Sequence, residues 1–304
     1  MLRPETAFRP GGWPGALARM LAFVAVLVVL AVLFGALWSL LPVPAGEAAT
    51  LAGTAVLAAA ALAAGALLIR GLDGRSPSAL GIGLSRETLR HTVMGVVIGG
   101  GALAVAAAAL LLTGSLRYAT APGTAVAWLG VVSGQATLFA IAALAEEALF
   151  RGYAFQVLAR AAGPAAAIVT SSALFALAHG ANPEVGVFAL LNIFLAGVLL
   201  AVAYLRTLSL WFATALHLGW NWTMATLFDL PVSGIQDFDT PLYDAVVGGP
   251  EWWSGGMFGP EGGLVGTIGF ACALLAVLRW RRLGPDPRIA GAGALVLDRE
   301  RGYA

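Results

Sequence analysis

Six polar side chains stand out in a very apolar chain: Glu146, Glu147 and Arg151 in Ala145-Glu-Glu-Ala-Leu-Phe-Arg151, His179 at the end of Phe175-Ala-Leu-Ala-His179, and His217 and Asn221 in His217-Leu-Gly-Trp-Asn221. Charged groups at membrane depth cost about 2.5–3.5 kcal/mol each on insertion scales, so they signal function rather than filler. Glu147 and Arg151 lie four apart on one helix face with the carboxylate first, the favourable order for a pair. Glu146 points about 100° away and has no local counter-charge, and an unpaired buried carboxylate suits a general base working near neutral pH. His217 and Asn221, also four apart, offer two hydrogen-bond donors one turn from each other. Together these groups suit amide hydrolysis. Glu146 takes a proton from a water that His179 orients, while His217 and Asn221 donate to the oxyanion. A second route stays open, in which Glu146, Glu147, His179 and His217 hold a divalent ion such as zinc. No His-Glu-x-x-His run argues for it, and the two histidines stand far apart in the chain.

Singly, each group has a plainer role. Glu147–Arg151 can be an interfacial ion pair, His179 a loop-side histidine, His217 a packing hydrogen bond and Asn221 inter-helix glue. Phe175, Trp220 and Trp222 read first as packing. The joint pattern changes the balance: the chain has 3 histidines, and two of them stand in these motifs.

The elements that must position these groups are membrane helices. The 304 residues are 60% hydrophobic and 11% charged, with mean hydropathy +0.87. A soluble globular chain carries about 25% charged residues, too many for this composition. Net charge is +1, which gives no nucleic-acid footprint. The lone cysteine, Cys272, excludes an internal disulfide and reads as packing. The basic residues are all arginine, which suggests codon bias. Apolar runs predict eight spans, at about 17–41, 50–69, 91–113, 125–161, 165–179, 185–205, 210–230 and 263–278. The first run is too long for a signal-peptide core, and Pro42 and Pro44 end it. The fourth is expected to run unbroken past what a bilayer needs. Gly163-Pro164 marks a turn, which would set Glu146 and His179 level across a hairpin. The depth of the site stays open. Ser85 reads as a helix N-cap with Glu87 in the first turn, Gly95-x-x-x-Gly99 as a close helix contact, and His91 as a solvated helix start. Trp252-Trp253 reads as chain at the membrane–water interface. No internal repeat is visible.

The domain reading is an N-terminal cytoplasmic segment at 1–16, an eight-helix membrane domain at 17–282 with its motif-bearing core at about 125–230, and a poorly ordered cytoplasmic tail at 283–304. With eight spans, Arg3, Arg9, Arg19, Arg70, Arg75, Arg86, Arg90, Arg160, Arg206, Arg279, Arg281, Arg282 and Arg288 fall on one side. Arg117 alone falls on the other. The acidic stretch 229–261 has six acidic residues and no basic one. The positive-inside rule then puts both termini in the cytoplasm, here of a bacterial plasma membrane.

The three motifs, Glu-Glu-x-x-x-Arg, Phe-x-x-x-His and His-x-x-x-Asn in this order on successive apolar helices, resemble those of the CPBP family. That family contains the type-two CAAX prenyl proteases and the Abi-type bacterial intramembrane proteases. The resemblance implies an all-α integral membrane protein of about eight transmembrane helices with an intramembrane polar site. It implies an endopeptidase of membrane-associated or lipid-modified (CAAX-like) polypeptides. It also implies Glu146 and His179 on the water and His217 and Asn221 as oxyanion donors, with Glu147 and Arg151 in support. The family is described both as metalloproteases and as metal-independent glutamate proteases; the expectation here is the second, with no organic cofactor required. The partners implied are the bilayer and a polypeptide entering from it, and the oligomeric state stays open. A proton-coupled transporter using the same polar groups is a competing reading, weakened by the missing repeat. A scaffold that has lost activity is a third.

Overall fold

The computed structural model describes residues 12–41, 46–238 and 240–298; Pro42, Pro44, and the arginines at positions 3 and 9 lie outside them. The elements are α1 (Gly12–Trp38), α2 (Glu47–Gly71), α3 (Arg86–Leu112), β1 (Leu116–Thr120), α4 (Ala125–Phe150), α5 (Tyr153–Ala162) and α6 (Pro164–Ala178). They continue with α7 (Val187–Thr207), α8 (Leu210–Thr226), β2 (Tyr243–Val247), α9 (Glu251–Ser254), α10 (Leu264–Arg279) and α11 (Pro287–Gly291). This is an all-α membrane protein with one short two-stranded antiparallel sheet, β1 against β2. Among the described residues, five helical stretches are long and apolar enough to cross a membrane: Trp13–Trp38, Ala48–Gly71, Arg86–Leu112, Ala125–Ala162 (α4 with α5) and Val187–Thr207. Pro164–Ala178 and Leu264–Arg279 are apolar but shorter.

The helix ends follow local chemistry. Ser85 caps α3 as expected: its Oγ accepts from Thr88 N–H at 3.1 Å and Thr88 Oγ1 accepts from Ser85 N–H at 3.0 Å, a reciprocal capping box. Thr124 caps α4 and Ser209 caps α8 by one such bond each, from Ala127 N–H and Phe212 N–H, without the return bond. The fourth apolar run is not continuous. It breaks at Arg151–Gly152, and a Cβ on Gly152 would stand 2.2 Å from the Ala148 carbonyl oxygen. The hairpin about Gly163 (φ +92°) therefore joins α5 to α6 rather than α4 to α6.

α8, which carries two of the motif residues, lies against α3. A Cβ on Gly99 would meet Leu216 O at 2.1 Å, and one on Gly219 would meet Val96 O at 2.4 Å. The expected close contact at Gly95 and Gly99 is thus the α3–α8 seam. Gly99→Ala is expected to lower stability by about 1–3 kcal/mol through overpacking, whereas Gly101→Ala, which meets nothing within 4 Å, leaves it unchanged. Thermal melts of the two variants in detergent check this.

The two ends of the bundle differ in charge. At one end Asp73 Oδ1 pairs with Arg19 Nη2 at 3.4 Å and Arg160 Nη2 at 3.1 Å, and Asp298 pairs with Arg75 and Arg160. Tyr153 donates to Asp73 at 2.8 Å. Arg90 donates to the carbonyl of Arg282, and Arg206 to that of Trp280. Of the arginines assigned to one side from the sequence, Arg19, Arg75, Arg90, Arg160 and Arg206 are tied into this end. The tail from 283 is packed against that end as far as Asp298, contrary to expectation. Leu295 is fully buried and its N–H donates to Gln156 Oε1 at 2.8 Å. Asp286 caps α11 and accepts from Ser85 Oγ at 2.8 Å. His91 is likewise not solvated. It is 1% exposed and packs edge-on against Phe212. Tail and α8 cover a histidine whose neighbour Arg90 had suggested an exposed helix start.

The opposite end carries the sheet and the acidic stretch. Asp229 accepts from the N–H groups of Thr240 and Ala245, and Trp253 donates to Thr113 Oγ1 at 3.1 Å. Asp229 and Glu261 each spend their carboxylates on protein donors, so this stretch is held in place rather than simply solvated.

Candidate active site

Glu146 and Glu147 lie in the last turn and a half of α4, and the break that follows sets Arg151 against them. Arg151 and Glu147 are both fully buried, with Nη1 2.9 Å from Glu147 Oε1. A second arginine donor, Nη2, reaches the Gly197 carbonyl of α7 at 3.1 Å. The guanidinium also lies over the Phe175 ring, 4.7 Å from its centroid. This side chain ties α4, α6 and α7 together.

Glu147 does more than pair with arginine. Its Oε1 also accepts from His217 Nδ1 at 3.1 Å, so Nδ1–H is committed and Nε2 faces away from it. On that side stands Glu146, whose Oε2 is 3.9 Å from His217 Nε2. This oxygen is buried without a hydrogen-bond partner among the described residues. His217 therefore sits between the two carboxylates, which adjacency in sequence alone had not suggested. The Glu147–Arg151 pair fixes the ring, and Glu146 keeps a free oxygen.

His179 caps the C-terminal end of α6. Its Nδ1 is 2.8 Å from the Phe175 carbonyl oxygen. A carbonyl only accepts, so Nδ1–H donates and the neutral ring presents a basic Nε2. Phe175, expected to be packing, is packing at the centre of the site. Its ring is 4.7 Å from that of His179 and 6.0 Å from that of His217, and meets Phe150 edge-on.

His179, His217, Asn221, Phe175 and Trp220 line one cavity with Ile193, Leu199, Leu200 and Phe270. Its volume is about 20 Å³, the size that holds a single water. Glu146 is not one of its walls and meets it through His217. The structure thus brings His179, His217 and Asn221 to one chamber, with Glu146, Glu147 and Arg151 behind His217. The side chains named for a metal do not form a ligand set. Among the described residues no three of His, Cys, Asp or Glu gather as one, and Glu147 Oε1 is already taken by Arg151 and His217.

Two further walls were not foreseen. Glu261, in the 3-10 turn Pro260–Gly262 before α10, and Ser233 both face the chamber. Glu261 is 3% exposed. Burial pushes its carboxyl above the ordinary carboxylate range, against the pull of its Ser233 and Trp220 donors and the imidazoles of His179 and His217. The signal available was an acid set among glycines directly ahead of an apolar span, but it lay within the acidic stretch whose tryptophans read as chain at the membrane–water interface.

Residues 123–223, one third of the chain, match the family described as Type II CAAX prenyl endopeptidase Rce1-like. The motif-bearing core is thus similar to that of the CAAX proteases. The match spans all six motif residues and stops short of Ser233 and Glu261, so the family pattern covers the front of the chamber and not its rear wall. No curated protein and no solved structure matches the chain.

Proposed function

We propose that the protein is an intramembrane endopeptidase that cuts membrane-associated or lipid-modified polypeptides with a water activated by Glu146 and His179. The family supplies the coarse class, a protease with a polypeptide substrate in or at the membrane. The observation that carries the finer reading is the arrangement around His217. One imidazole is held at Nδ1 by the buried Glu147–Arg151 pair, with the unpartnered Glu146 oxygen across Nε2.

In this mechanism the chamber walls part beside His217 so that the water reaches Glu146. It then gives one proton to Glu146 and one hydrogen bond to His179 Nε2. Its oxygen forms the bond to the scissile carbonyl carbon, and the carbonyl oxygen becomes the oxyanion. His217 acts here as the imidazolium, with Nδ1–H on Glu147 and Nε2–H free to donate. That Nε2–H and Asn221 Nδ2–H donate to the oxyanion, worth about 10²–10³ in turnover per donor in comparable sites. Protonated Glu146 then passes its proton to the leaving amine as the carbon–nitrogen bond breaks. Glu147 and Arg151 keep His217 oriented and touch no reacting atom. The chamber admits little beyond the water, so substrate binding requires the walls to part.

We take the route to be metal-free because Glu147 is spent on Arg151 and His217. Exhaustive chelation is expected to leave cleavage unchanged, with no stoichiometric zinc by metal analysis; loss of activity restored by zinc would overturn this. The membrane setting follows the same reading: eight spans, both termini cytoplasmic, in a bacterial plasma membrane. The test is to reconstitute the purified chain in liposomes and present a proteome-derived peptide library. Internal cleavages that vanish with Glu146→Gln are expected, and an uncut library would refute the assignment.

A further inference from the structure

The rear wall of the chamber contains a buried acid that the six motif residues do not include. Glu261 Oε1 accepts from Trp220 Nε1–H at 3.0 Å, and Oε2 accepts from Ser233 N–H at 2.9 Å and Ser233 Oγ–H at 2.6 Å. Its main-chain carbonyl accepts from Asn192 Nδ2 of α7 at 2.8 Å. Both carboxyl oxygens thus face partners, two of them N–H groups that can only donate, so the side chain is gripped at both ends. Trp220 is the residue before Asn221 and lies one turn from His217. Its ring also packs on Phe270 of α10, with centroids 4.3 Å apart. Glu261 shares the chamber with both His179 and His217.

A buried carboxyl is a costly group to keep for packing alone. We propose that Glu261 is a positioning residue of the active site. Its carboxyl, gripped at both oxygens, holds the Trp220–Asn221 corner of α8 and with it the placement of His217 and Asn221. The inference rests on the protease reading and extends it beyond the family-matched segment, which ends at residue 223.

Glutamine, with one acceptor oxygen in place of two, tests the grip. In Glu261→Gln the amide nitrogen must face either the Trp220 N–H or the Ser233 donors, so a donor–donor clash lowers stability whatever the catalytic role. Adding Trp220→Phe removes that clash on one side while keeping the ring against Phe270. The test therefore compares wild type, E261Q, E261Q/W220F, E261D and E146Q, as the full chain in detergent. It uses the fastest-cut member of a proteome-derived peptide library and reads kcat, KM and melting temperature.

Expected for E261Q is a fall in kcat of about 10–100-fold, the usual effect of losing an orienting partner, with KM little changed. In E261Q/W220F the melting temperature rises again above that of E261Q while kcat stays low. E261D, which keeps the carboxyl, retains more kcat than the double variant. If kcat instead follows melting temperature across the series, or E261Q turns over like wild type, the positioning role is wrong. If E146Q cuts as fast as wild type, the protease reading itself fails, a result distinct from either.

Discussion

Glu146→Gln is expected to lower turnover by about 10²–10⁴-fold, the range assigned to a positioned general base, with the melting temperature unchanged or raised. Glutamine matches the shape of the carboxylate but cannot accept the proton of an attacking water. The stability half of this expectation comes from the surroundings. Glu146 Oε2 is buried without a hydrogen-bond partner and stands 3.9 Å from His217 Nε2, whereas Arg151 is spent on Glu147. Removing the charge costs the fold at most one long contact to His217. Single-turnover kinetics beside a thermal melt separate the two effects. A Glu146→Gln protein that has lost activity because it has lost its fold would show the glutamate to be structural.

Arg151→Ala is expected to do the reverse, lowering stability by about 3–5 kcal/mol, since it leaves a carboxylate buried without its counter-charge. Arg151 and Glu147 are both fully shielded from solvent. Arg151 also bridges to the Gly197 carbonyl and to the Phe175 ring, so its loss loosens α4, α6 and α7 together. Activity falls with the fold, because Glu147 no longer presents a fixed oxygen to His217. The apolar double replacement Glu147→Leu with Arg151→Met removes both charges. It is expected to recover part of the stability and none of the activity. Melting curves and cleavage assays on the two variants check this. Wild-type stability in Arg151→Ala would mean that the pair holds nothing together.

Residues close in sequence made the front of the site legible. The i, i+4 relation of Glu147 and Arg151 is a helix property, and the ion pair forms as that spacing requires. The same spacing put His217 and Asn221 on one helix, and both line the chamber. The turn at Gly163 was legible because proline follows a glycine there. The break at Gly152 was not, since glycine is tolerated inside helices and only the Ala148 carbonyl shows why no side chain fits. His217 against Glu147 depends on how α8 packs on α4, which no local pattern encodes. Glu261 was hidden for the same reason. It arrives from a loop far along the chain, and its acidic neighbours made it look like surface. His91 misled in the opposite sense: beside Arg90 it read as exposed, and the packing of Phe212 buries it.

The competing transporter reading uses the same polar groups without breaking a bond, so products decide between them. The most direct measurement is mass spectrometry of membrane peptides from cells carrying the wild-type chain or Glu146→Gln at equal abundance. The account predicts new polypeptide ends in membrane proteins of the wild-type cells that are missing from the variant. Identical sets of ends in both would contradict it.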